Sequence, residues 1–298
     1  MTTQVFIDGE AGTTGLQIFD RLKDRSDISL IQLGEDRRKD LDARRDALNA
    51  ADVAILCLPD AAAIDSVEMI ENDTTRVIDA STAHRVADGW VYGFPELTKG
   101  HAEAVANARF VANVGCYATG SISLIRPLVE AGLLAADAGL TIHGVSGYTG
   151  GGKALIAEME AAGSSDFFLY GLDQGHKHLP EITKYGLLSR PPIFVPAVAK
   201  YAQGMALTLS LPKGMVDGDR EALLAVYQAH YAHGGDVIVV SDTEARLDPQ
   251  MHNDTNTMSI HVRGNAETGQ MVAVAVLDNL GKGASGSAVQ NLDLMICA

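Results

Sequence analysis

The chain has 298 residues, enough for two domains at about 150 residues each, and its 47% hydrophobic and 20% charged content is that of a globular protein, neither disordered nor fibrous. With 23 Lys and Arg against 38 Asp and Glu, the net charge of -15 disfavours generic binding to nucleic acid or to anionic lipid, so small molecules and other protein chains are the expected partners. No apolar run reaches the roughly 18 residues of a membrane helix, the start MTTQVFIDGE lacks the marks of a signal peptide, and Cys57, Cys116 and Cys297 form no CxxC pair, so a cytoplasmic protein with no disulfide framework and no cysteine zinc site is expected.

Short Val-, Ile- and Leu-rich runs at 4–8, 28–33, 53–58, 76–79 and 110–113 read as strands of a parallel sheet buried on both faces. Helical spacing fills the gaps at 14–23, 40–49 and 60–70, with Asp60 as the N-cap of the third. Beyond Gly115 a helix is predicted from about Thr119, kinked or ended by Pro127. Strand-like runs follow at 140–144, 193–198, 205–211, 237–240, 258–262 and 271–277, interrupted by strong helices at 153–162 and 219–232, with a last helix at 284–295. The pattern predicts an α/β chain: an N-terminal Rossmann-like parallel-sheet domain, residues 1–115 plus 284–298, and an α+β catalytic and dimerisation domain, residues 116–283, whose sheet is largely antiparallel.

Gly9, Gly12 and Gly15 form G-E-A-G-T-T-G directly after the first strand and at the opening of the first helix. Glycine lets a backbone turn tightly against a pyrophosphate, and the open N–H groups of a helix start, here at Thr13, Thr14 and Gly15, attract its charge. Asp36 stands near the position of an acid that holds a ribose 2′-hydroxyl, but Arg37, Arg38 and Lys39 follow at once and suit a 2′-phosphate, which favours NADP over NAD.

Cys116 lies between a strand end and a helix start, where the helix dipole and open N–H donors stabilise a thiolate. Gly115 and Gly120 are read as leaving room for a substrate; Cys57 fits a buried apolar residue and Cys297 a terminal bystander. His176 and His178 lie two apart, so both rings would point one way in an extended segment, and either could act as general acid or base. His178 is favoured, because Glu181 follows closely enough to orient its ring. A zinc site made of His176, His178 and Cys116 has neither an HExxH pattern nor a cysteine pair to support it, and no metal is expected.

Cys116 with its flanks, Tyr92-Gly93-Phe94-Pro95-Glu96-Leu97 before it, His176-Lys177-His178-Leu179-Pro180-Glu181-Ile182 after it, and Asp278-Asn279-Leu280-Gly281-Lys282-Gly283-Ala284 followed by Gln290-Asn291 occur in one order. Together they resemble the shorter subgroup of the N-acetyl-gamma-glutamyl-phosphate reductase family, which is related to the aspartate-semialdehyde dehydrogenases. Val114 and Ala118 stand where that family often has proline. The resemblance implies NADPH-dependent reduction of an acyl phosphate to a semialdehyde, with release of inorganic phosphate, through a thioester on Cys116 in arginine biosynthesis, carried out by a homodimer or homotetramer. Arg85, with Ser81 and Asn113, and Lys153 are the candidates for holding the phosphate and substrate, and Glu181 completes that set. Ser146, Gly147 and Asn279 are expected near the cofactor, with the 146–152 run moving over the site. The alternatives are an aspartate-semialdehyde dehydrogenase or other acyl-phosphate reductase and, outside the oxidoreductases, a cysteine hydrolase or acyltransferase.

Overall fold

The computed structural model describes residues 2–297. They form two compact units: one runs to Pro95 and adds Gly100–Val114 and the residues from Ala284 on, and the other comprises Glu96–Lys99 and Gly115–Gly283. Residues 1 and 298, the outer ends of the expected first domain, lie outside the described residues.

The first unit is built on strands β1 (Thr3–Asp8), β2 (Ile28–Ile31), β3 (Val53–Leu56), β4 (Arg76–Asp79), β5 (Val91–Gly93) and β6 (Phe110–Asn113). They make one wholly parallel sheet in the order β2-β1-β3-β4-β6-β5. Strand alternation sorts the side chains into two layers. Val5, Ile7, Val53, Ile55 and Ile78 pack with Ile18 and Leu22 of α1 (Thr13–Leu22) and with Ala288, Leu292 and Met295 of the last helix. Phe6, Ala54, Leu56 and Val77 pack on the other side with Ala47 and Leu48 of α2 (Leu41–Ala50) and Ala63 of α3 (Asp60–Glu68). Asp60 is the first helical residue of α3 rather than its cap, which is Pro59. Its carboxylate instead accepts from the Thr82 N–H at 2.9 Å and the Thr82 hydroxyl at 2.5 Å. The short β5 and α4 (His101–Asn107) carry too few apolar residues for a visible period and were not expected from the sequence.

The second unit holds α5 (Cys116–Glu130), β7 (Thr141–Gly147), α6 (Gly152–Glu160), β8 (Phe167–Leu169), α7 (Leu179–Tyr185), β9 (Ile193–Ala199), β10 (Met205–Leu211), α8 (Arg220–Tyr231), β11 (Val237–Val240), β12 (Met258–Asn265) and β13 (Gln270–Leu277). Its sheet runs β11-β12-β13-β10-β7-β9-β8, antiparallel except at β11–β12 and β7–β9. Leu207, Leu209, Ile142 and Ala275 are buried toward α5, while His143, Thr208 and Val274 share one row on the opposite face. Helix α5 begins at Cys116 itself, earlier than the sequence suggests, and passes Pro127 to end one turn later with the Ala131 N–H on the Pro127 carbonyl. A wide π-type turn, Gly281–Ser285, leads into α9 (Gly286–Ile296), which returns to the first unit.

Candidate active site

In the first unit, Gly9 leaves β1 with φ of +92°, and a Cβ there would lie 2.3 Å from the Cys57 carbonyl oxygen. Only glycine takes this backbone without steric cost. A Cβ on Gly15 would lie 2.4 Å from the Gly9 carbonyl oxygen, so loop and helix meet backbone to backbone. Gly12 differs, because a Cβ there would sit at an ordinary 3.4 Å from its nearest neighbour. It is the N-cap of α1 and brings no side-chain capping bond, which leaves the first-turn N–H groups of Thr13, Thr14 and Gly15 for an anion.

Beside this loop, where strand order reverses at the carboxyl ends of β1 and β3, is a cavity of about 570 Å³ lined by Asp8, Gly9, Leu33, Arg38, Lys39, Arg44 and Leu58 among others. The basic run divides on folding: Arg38 and Lys39 line the cavity, whereas Asp36 and Arg37 are not among its lining residues. Arg44 joins them from α2, held 2.9 Å from Asp8 Oδ2 and 2.7 Å from the Ser66 hydroxyl. Gly9 and Gly15, which admit no Cβ, an uncapped helix start, and Arg38 and Lys39 in an adjoining cavity that also presents Glu10 and Glu35 together form a donor set that fits a dinucleotide bearing a 2′-phosphate.

Other expected residues are committed within this unit. The Ser81 hydroxyl donates to Asp79 at 2.7 Å, and His84 Nδ1 lies 2.6 Å from the same carboxylate oxygen. Arg85 is buried and donates to the carbonyl oxygens of Asn113, Ala80 and Val114 at 3.1, 3.3 and 3.4 Å, so its guanidinium ties the loop after β4 to the end of β6. The Asn113 side chain donates to the Ala284 carbonyl at 2.9 Å and accepts from Asn291 at 3.0 Å.

In the second unit Cys116 is the first residue of α5, preceded by Gly115 as N-cap. The Gly115 N–H donates to Glu181 Oε2 at 3.4 Å, and Glu181 Oε1 lies 3.9 Å from His178 Nε2. That last separation is an electrostatic pairing, longer than a hydrogen bond. Both residues are buried, at 5% and 1% exposure, with His178 capping α7 and Glu181 in its first turn. The rings of His176 and His178 are 4.8 Å apart, as their spacing suggested, but their settings differ. His176 Nδ1 accepts the His178 N–H at 3.2 Å, which assigns its proton to Nε2, 3.3 Å from the Tyr170 hydroxyl. Burial, helped by the Lys177 charge, pushes its pKa down to about 4. His176 is thus a neutral wall, packed edge-on against Phe194 and Tyr117. Tyr117 donates its hydroxyl to the Ala197 carbonyl at 2.7 Å, and burial pushes that hydroxyl far above the usual phenol range.

Gly120 serves packing rather than substrate access: a Cβ there would lie 2.3 Å from Leu207 Cδ1, so the small residue lets α5 lie close on β10. The 146–152 run is tied down as well. Ser146 donates to the Gly147 carbonyl, and the N–H groups of Gly147, Tyr148 and Thr149 bond the carbonyls of Gly204, Tyr201 and Ala202. Asn279 accepts from the Gly204 N–H at 2.8 Å and donates to Thr149 at 3.1 Å, pinning the same turn. Lys153 is exposed on the first turn of α6. Among the described residues no group of three or more His, Cys, Asp or Glu is arranged to hold a metal ion.

Residues 4–107 match a family model described as semialdehyde dehydrogenase, NAD binding domain, and residues 116–279 one described as semialdehyde dehydrogenase, dimerisation domain. A Chelativorans sp. (strain BNC1) protein named N-acetyl-gamma-glutamyl-phosphate reductase is 52% identical over 306 residues, covering 99% of this chain and 99% of its own. The chain belongs to the N-acetyl-gamma-glutamyl-phosphate reductase family. A Pseudomonas putida member, N-acetyl-gamma-glutamyl-phosphate reductase 2, is 49% identical over 100% of this chain and 98% of its own. Among solved structures, aspartate semialdehyde dehydrogenase II of Vibrio cholerae shares the fold with a TM-score of 0.75 at 15% identity, covering 100% of this chain and 99% of that one. The Candida albicans aspartate semialdehyde dehydrogenase solved with NADP gives 0.69 at 15% identity, with 99% of each chain covered.

For this reductase-family chain, sequence reasoning missed Arg44, whose partner Asp8 is 36 positions away, and Tyr170, which reaches His176 only in the fold. It also missed Lys282 and Glu96, an ion pair 186 positions apart, although both stand inside motifs that the sequence displays.

Proposed function

We propose that the chain reduces N-acetyl-gamma-glutamyl phosphate with NADPH to N-acetyl-glutamate 5-semialdehyde and inorganic phosphate, through a thioester on Cys116, in arginine biosynthesis. The observation that carries this reading is Cys116 at the first position of α5, next to an amide held by the same buried carboxylate that faces His178.

His178 takes the thiol proton, and Glu181 stabilises the resulting imidazolium. The thiolate adds to the γ-carbonyl carbon, the C–S bond forms, and the bond to the phosphate oxygen breaks to release phosphate. The loop of Gly9, Gly12 and Gly15, with the open N–H groups of Thr13 and Thr14, would hold NADPH, whose chemistry there would be to supply a hydride for the acyl carbon. His178 gives its proton to the oxygen of the tetrahedral adduct and takes it back as the C–S bond breaks, which returns the thiolate and frees the aldehyde.

We assign the 2′-phosphate preference to Lys39 and Arg38: both line the cavity, Arg38 from an exposed pairing with Glu35 at 3.0 Å that a phosphate can replace, whereas Arg44 is held by Asp8 at 2.9 Å. For self-association we assign the face of the second-unit sheet that carries His143, Thr208 and Val274, turned away from α5, as the contact between copies in a homodimer or a dimer of dimers. No helix among the described residues is long and apolar enough to cross a membrane, and a reduced thiol used with NADPH suits the cytoplasm.

The test is NADP-dependent oxidation of N-acetyl-glutamate 5-semialdehyde in the presence of phosphate, beside aspartate semialdehyde. The expected result is turnover with the acetylated substrate, lost without phosphate, and an acyl adduct on residue 116 found by mass spectrometry. Equal or better turnover of aspartate semialdehyde, or turnover with no adduct on Cys116, would reject the reading.

A further inference from the structure

We propose that Lys282 and Glu96 are a positioning pair for the Cys116 thiol; the idea rests on Cys116 being the nucleophile. Lys282 is fully buried, and its Nζ lies 2.8 Å from each Glu96 carboxylate oxygen and 3.8 Å from Asp236 Oδ2. Such a pair is a poor source of stability, because packed apolar residues in its place are often neutral or better. What it holds therefore matters more than what it contributes energetically.

Lys282 is the centre of Gly281-Lys282-Gly283, and both glycines are wedged against other parts of the second unit. A Cβ on Gly283 would lie 2.7 Å from Cys116 Cβ and 3.1 Å from its Cα, and one on Gly281 would lie 2.1 Å from the Thr255 carbonyl oxygen. The lysine side chain tethers this wedge to Glu96. Glu96 is fixed in turn: its Oε1 accepts the Asp236 N–H at 2.9 Å, and Gly235, with φ of +106°, comes so close that a Cβ would lie 2.6 Å from the same oxygen. A continuous line of contacts thus runs from Asp236 through Glu96, Lys282 and Gly283 to the reacting cysteine. Released from the tether, Gly283 can withdraw from the Cβ of Cys116, and the thiol loses a wall that limits its direction. A misplacement of about 1 Å is enough to slow a positioned reaction about 100-fold.

The full chain carrying Glu96→Gln and Lys282→Met together removes both charges at nearly constant volume. Three quantities are measured: the thermal midpoint, kcat and KM for each substrate, and the rate of Cys116 alkylation by iodoacetamide as a function of pH. A folded double variant is expected to keep its KM for NADP within about twofold, to lose at least about tenfold in kcat, and to show a displaced alkylation profile. Should the double variant not fold, Glu96→Asp retains the charge but shortens the tether by one methylene, with the same losses expected. A folded variant with parental kcat and a parental alkylation profile overturns the proposal, as does a loss of kcat that only follows the unfolded fraction. Alkylation reads the thiol without turnover, so a failure of the tether is distinguishable from a failure of the proposed reaction, which Cys116→Ser tests by itself.

Discussion

Cys116, His178 and His176 sit within a few side chains of each other, yet their replacement has three different expected outcomes. Cys116→Ser removes covalent catalysis and should lower kcat by at least about 10³-fold with NADPH binding, followed by fluorescence titration, unchanged. His178→Asn removes the base that takes the thiol proton as well as the acid that protonates the adduct oxygen, and should lower kcat by about 10² to 10⁴-fold with the acylation step, followed by quenched flow, slowed alongside it. His176→Gln should leave the neutral-pH limb of the kcat profile in place, since His176 holds its pKa at about 4, below its ordinary 6.5, and stays uncharged near neutrality. Its effect is on stability. The unfolded chain binds a proton at this residue before the folded chain does, so the contribution is intact above pH 6.5 and is lost as pH falls from there toward about 4. The thermal midpoint of His176→Gln should therefore fall less steeply than that of the parent between pH 7 and 5; parallel curves would show that the ring is not held neutral.

At the scale of elements, the glycine loop separates folding from binding. Gly9→Ala puts a side chain 2.3 Å from a carbonyl oxygen at a positive φ and should destabilise the first unit by about 1–3 kcal/mol or more, read by urea unfolding. Gly12→Ala meets no atom closer than 3.4 Å, so its unfolding midpoint should stay near the parental one while NADPH affinity drops about tenfold, because a methyl group then occupies the approach to the helix start. An equal loss of stability in both variants would mean that Gly12 is there for packing. Several strands were legible in the sequence to the residue: β4 and β6 because burial of the parallel sheet on both faces writes short apolar runs, β10 because its half-buried face writes an alternation, and β11 through its unbroken Val-Ile-Val-Val. The short β5, α4, β8 and α7 were not: β5 and β8 have three residues each, and the seven residues of α4 and of α7 make fewer than two helical turns, too few for an apolar face to recur. Cys116, His178 and Glu181 were legible through local spacing and motif, whereas the Arg44–Asp8 and Lys282–Glu96 pairs exist only once segments distant in sequence, a helix on a strand end and a turn on a loop, come together.

For the whole molecule, charge and sheet exposure act on association in opposite directions. A net charge of -15 makes copies repel one another, so a stable oligomer needs a surface where dehydration outweighs that repulsion. The face of the second-unit sheet turned away from α5 suits this, with Thr208 in register between His143 and Val274 and no acidic residue in that row. Thr208→Arg sets a long cation at the centre of this face. If two such faces meet, twofold symmetry brings the new charges near each other, and burying them unpaired costs several kcal/mol. Light scattering after size exclusion at micromolar concentration should then give the mass of one chain for the variant and a multiple of it for the parent. A contact built elsewhere would leave the variant's mass unchanged, because an arginine on a solvated sheet face alters stability by only about 0.5 kcal/mol.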